Sequence, residues 1–180
     1  MSPLRKIFSP RVPLAMLALA VAACTSAPPQ PAAPAFDAVA AVAAVHAAGA
    51  AGEHELVIKP LGDPEVEDLR AQAVQLHAQG QHADAAAVLD QALAITPDDP
   101  ALLQERAEAA LLQQDFTRAE QLAQRAFAAG AQVGPLCRRH WETIAQARAA
   151  RVVPAGDSIA TVAEARQARD ACTVAAPNRY

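Results

Sequence analysis

Large aromatic side chains are nearly missing from this chain: one Trp, one Tyr and four Phe among 180 residues. A core built from aromatic bulk is therefore excluded, and the apolar content rests mainly on alanine, which packs helices by close backbone approach. Glycine is scarce at seven, and none of it forms a phosphate-cradling loop. There is no HExxH, no CxxC and no GxSxG. The expectation is a protein that is not an enzyme, with no cofactor and no metal; the alternative is a catalytic site without a recognisable motif. Long apolar runs are also lacking. The stretch near residues 14–23 is too short to cross a bilayer core of ~30 Å as a permanent helix. The net charge of −4 excludes a whole-chain nucleic-acid binder.

What the front of the chain has is order of another kind. Arg5, Lys6 and Arg11 give a basic start, Leu14 to Ala20 an apolar run, and Val21-Ala22-Ala23-Cys24 a small-residue close. That is a secretory signal. An aliphatic residue, two small residues and Cys resembles the lipobox of bacterial lipoproteins. The resemblance implies cleavage before Cys24, diacylation (palmitate among the chains) of its thiol and acylation of the new amine. An ordinary signal with a chance Cys at the junction is the alternative. Several acyl chains, at ~0.8 kcal/mol per buried methylene, anchor where one does not. In the Gram-negative lipoproteins it resembles, Asp after the lipidated Cys favours inner-membrane retention. Thr25 stands there instead, which implies the periplasmic face of the outer membrane.

Without residues 1–23 the net charge falls to −7, unevenly spread, with basic groups gathered after residue 137. Residues 24–35 read as the lipidated Cys and an extended Pro/Ala-rich tether, reaching some 30 Å at ~3 Å per residue. Residues 36–64 are poorly defined. Phe36, Val39, Val42 and Val45 form a stripe on a short helix that Gly49 ends, and Glu53–Pro60 reads as a brief extended segment. His46 there is alone. The folded domain is expected over 65–172, with 173–180 as a tail.

From Glu65 the apolar spacing is helical. Val66, Leu69, Ala73 and Leu76 share one side, Gly80 breaks the run, and Ala85, Leu89, Ala92 and Leu93 share the next, up to Pro97. Asp99 then caps and Pro100 opens a new helix. The plan repeats after 34 residues through Leu103, Ala107, Ala110, Phe116, Ala119, Ala123 and Ala126. A fixed period of this size marks a solenoid. These positions resemble the tetratricopeptide repeat, which implies an all-α helical-hairpin solenoid of about two repeats. Residues 134–171 read as a degenerate third hairpin closing the array. Trp141 belongs to its core side.

An exported chain leaves Cys137 and Cys172 in an oxidising compartment, so one bridge is expected, against two buried free thiols. With helices over 136–151 and 158–171, each Cys lies 14 residues from the loop, some 21 Å at ~1.5 Å per residue, hence at one height.

The repeat resemblance implies a concave groove lined by the first helix of each hairpin. Its positions are Glu67, Arg70, Val74 and His77, then Gln104, Glu108, Leu111 and Leu112, extended by Arg138 and Glu142. The expected function is a membrane-anchored periplasmic scaffold that holds a protein or peptide partner in the cell envelope. An accessory factor for pilus or secretin assembly is the alternative. His77 and His82 are five apart and flank the Gly80 turn, so no metal is assigned.

Overall fold

A computed structural model describes residues 35–52, 62–151 and 157–173. The chain divides into two units, Met1–Ala35 and Phe36–Tyr180. Cys24, the tether expected before Ala35, and the segment expected at Glu53–Pro60 lie outside the described residues.

The second unit is all-α among the described residues: α1 (Ala38–Ala48), α2 (Pro64–Ala78), α3 (His82–Ile95), α4 (Pro100–Leu112), α5 (Phe116–Ala129), α6 (Gly134–Ala150) and α7 (Asp157–Ala171). Side-chain caps set four of the starts. Asp37, Asp63, Asp99 and Asp115 accept from the backbone N–H of Ala40, Glu65, Leu102 and Arg118 at 2.8–3.1 Å. Pro64 and Pro100 occupy the first turn, where a missing N–H is harmless.

α2–α3, α4–α5 and α6–α7 pack as hairpins, and α3 on α4 and α5 on α6 stack them into a helical-hairpin solenoid. The turns repeat bond for bond. Gln81 N donates to Leu76 O and, 34 positions on, Asp115 N donates to Ala110 O, both at 2.9 Å. Between them sit Gly80 at φ 74° and Gln114 at φ 59°. The second turn therefore holds a non-glycine residue in the left-handed region, which costs roughly 1–2 kcal/mol against a right-handed conformation.

Small residues let the helices close together. Ala85, Ala92, Ala107, Ala119, Ala123 and Ala126 are all fully buried, with Leu89, Leu103 and Ile144 filling the spaces. Trp141 is half-buried against the Ala107–Ala123–Ile144 cluster and meets Phe127 edge-on, centroids 5.0 Å apart. At the third hairpin Cys137 and Cys172 are joined by a disulfide, Cα atoms 5.8 Å apart. Beside it Gly134 N donates to Cys172 O at 2.7 Å, so the start of α6 and the end of α7 are tied twice.

α1 is built differently from its expected stripe. Ala41 and Val45 are buried and Phe36 and Val42 partly so, while Val39 is 67% exposed. The buried face follows the i, i+4 spacing of Ala41 and Val45, because α1 lies on α4 and α6.

Candidate interaction groove

The first helices of the hairpins are α2, α4 and α6, and the chain treats them unequally. α2 keeps its face open: Glu67 and Val74 are exposed, Arg70 and His77 half-buried. Val74, at 63% exposure, is a large apolar residue left to solvent at the middle of that face. Arg70 donates to Glu67 Oε1 at 2.7 Å and reaches across to α4, where it forks onto both Glu105 oxygens. The Glu105 bond is the main cause of a guanidinium pKa raised above its ordinary value. His77 Nδ1 lies 3.1 Å from His82 Nδ1 across the Gly80 turn. Burial, then the charge of His82, lowers the His77 pKa, against the pull of Glu108. No third candidate ligand joins this pair among the described residues.

α4 and α6 are covered. Gln104, Glu108, Leu111, Arg138 and Glu142 were expected to line an open groove and are instead buried; Leu112 is half-buried. Three physical reasons account for this. Gln104 faces α6, donating to Thr143 Oγ1 at 2.7 Å and accepting from His140 Nδ1 at 2.7 Å. Glu142 faces α7, held by Arg169 at 2.6 Å and by Gln146 at 2.7 Å. Glu108, Leu111 and Arg138 lie under α1.

Glu108 is the centre of the covered region. Its carboxylate accepts from Gln104 at 2.7 Å and Arg139 at 2.6 Å, and lies 2.9 Å from His46 Nε2 of α1. Burial pushes its pKa up, but His46, Arg139 and Gln104 together outweigh burial and hold it below the ordinary carboxylate value. Leu111 packs in one cluster with Val45. Arg138 donates to Ala48 O at 2.8 Å and Ala50 O at 2.9 Å, placing a cation on the carbonyl end of α1. Gly49 follows because a Cβ there would sit 2.4 Å from Arg139 Cγ. Beneath them His140 is fully buried, its Nε2 without a partner among the described residues. Burial first, then the nearby Arg139 charge, lowers its pKa to about 4, so it stays neutral.

His46, solitary in the sequence, is thus part of the site, as is Arg139. The signal that points to them is a small helix ending in Gly49 ahead of the repeats; its seat on α4 and α6 is not written locally.

Stacked hairpins with a face formed by their first helices make a TPR-like helical solenoid, and the tetratricopeptide repeat model matches residues 76–139. Among solved structures the chain is similar to the globular C-terminal domain of P. aeruginosa LpoP. Identity is 32% and the TM-score 0.52, over 59% of this chain and 99% of that one. The chain belongs to the family of that LpoP domain. A search of curated proteins gives no match.

Proposed function

We propose that this protein is a lipid-anchored scaffold of the cell envelope, held through Cys24 and binding a protein partner with its repeat domain. The observation that carries the reading is the open α2 face, where Val74 is 63% exposed between Arg70 and His77 on a repeat fold. Kinship with the LpoP domain over that domain's full length supports it. In this reading the anchor is the acylated Cys24 at the periplasmic face of the outer membrane; no helix among the described residues is long and apolar enough to cross a membrane. The partner class put first is a protein of cell-wall synthesis, with pilus or secretin assembly second.

A photo-crosslinking residue at position 74, irradiated in cells and followed by mass spectrometry, tests the reading. A specific envelope protein captured at position 74, and lost with Val74→Glu, is the expected result. The identity of the captured protein separates cell-wall synthesis from secretin or pilus machinery. Absence of any specific crosslink from a folded, exported protein overturns the α2 assignment. Cys24→Ser should leave an uncleaved precursor that takes up no labelled fatty acid; unchanged labelling refutes the anchor.

A further inference from the structure

Resting on the scaffold reading but concerning the covered half of the groove, we propose that α1 is a ligand bound in cis. In this inference the second and third hairpins form a helix-binding site that a partner helix of the same chemistry occupies when α1 leaves.

The construction of the seat supports this. α1 is an 11-residue helix, AVAAVAAVHAA, and helices shorter than ~12–15 residues are marginal in water on their own. It fully buries only Ala41 and Val45. Its polar ties among the described residues gather at one end, with His46 on Glu108 and the Ala48 and Ala50 carbonyls on Arg138. The acidic and amide groups of the floor are satisfied without it, whereas Arg138 gives up the Ala48 and Ala50 carbonyls and is the group a replacement helix must meet. With α1 gone, Glu108 keeps Gln104 and Arg139, Gln104 keeps Thr143 and His140, and Glu142 keeps Arg169. Departure of α1 therefore strands no lone buried carboxylate, the event that makes breaking a buried pair so costly.

The seat also states what fits it. The occupant is a short helix with small residues at i and i+4, since Ala41 and Val45 are what α4 and α6 admit. It carries a hydrogen-bond donor in its last turn to meet Glu108. It ends where a glycine passes Arg139, presenting free carbonyls to Arg138. Helix-in-groove recognition by small apolar anchors is the matching mode.

The test uses the full chain and a fluorescent peptide of residues 36–52 as probe. Gly49→Trp and Val45→Asp both weaken the hold of α1 and leave the groove residues intact. Each folded variant is expected to bind the peptide at least tenfold tighter than the wild type, and adding Arg138→Glu should abolish that binding. Folded variants that bind no better than wild type overturn the inference. Should both variants unfold, hydrogen exchange on the wild type decides. α1 amides exchanging at least tenfold faster than those of α4 support a detachable helix, and exchange at the α4 rate overturns it. The peptide measurement needs no envelope partner, so its failure is distinct from a failed crosslink at position 74.

Discussion

Replacing both Cys137 and Cys172 by alanine removes the bond that pins the third hairpin, and the structure sets the size of the effect. The bridge spans a sequence separation of 35. In the chain-entropy model a loop of that length restricts the unfolded chain by about 4 kcal/mol. A domain of about 140 residues changes stability near its midpoint by roughly 0.3 kcal/mol per degree. The expected loss is therefore on the order of 10–15 °C in Tm. Among the described residues α7 is otherwise held by Ala165 in the core, Arg169 on Glu142 at 2.6 Å, Arg148 donating to Thr161 O at 2.9 Å and Gly134 N donating to Cys172 O at 2.7 Å. Loss of the bridge should therefore loosen α7 before the first two hairpins. Thermal unfolding followed by circular dichroism, with limited proteolysis to locate the first cut, measures both effects. A Tm within about 2 °C of wild type would refute the reasoning, as would two alkylatable thiols at these positions in protein taken from the envelope.

Gln114→Gly should stabilise the second turn by roughly 0.5–1 kcal/mol, because its left-handed φ suits glycine better than glutamine; a denaturant midpoint that falls would contradict this. Ala123→Leu, at a fully buried position between packed helices, should cost roughly 1–3 kcal/mol by overpacking, read as a lower urea midpoint. Stability should decline as pH falls from the unfolded histidine value near 6.5 toward the His140 value of about 4. The unfolded chain takes up a proton there that the native one refuses, an effect on the order of 3 kcal/mol when complete; His140→Gln should flatten that limb of the melting curve. Val74→Glu, on an exposed side chain, should leave stability within about 0.5 kcal/mol, and any large loss would mean the α2 face is not free.

The hairpins were legible because their signals are local. Alanines at helical spacing, Asp99 before Pro100, Gly80 at a turn and the 34-residue period each lie within one or two helices. α1 was legible as a helix but not as a groove occupant. With alanine on every side, periodicity has too little contrast to choose between the Val39 stripe and the Ala41–Val45 face. Its decisive contact, His46 with Glu108, joins positions 62 apart. The groove list had the same weakness: repeat position identified helices α2, α4 and α6, but what lies over them is decided by α1 and α7. Gln114 shows a subtler limit. Its left-handed backbone is set by the repeat geometry it shares with Gly80, so the residue type alone gave no sign of it.

Phe36 meets Phe116 edge-on, ring centroids 4.8 Å apart, immediately before α1 begins. Among the described residues the first helix is therefore also the first element met by a pull that arrives at residue 35. In an anchored protein, tension arriving through residue 35 acts on this aromatic contact and then on α1, while the stacked hairpins behind it are shielded. Mechanical strain between membrane and partner would thus be converted into exposure of Glu108 and Arg138, making the shortest helix among the described residues its force gauge.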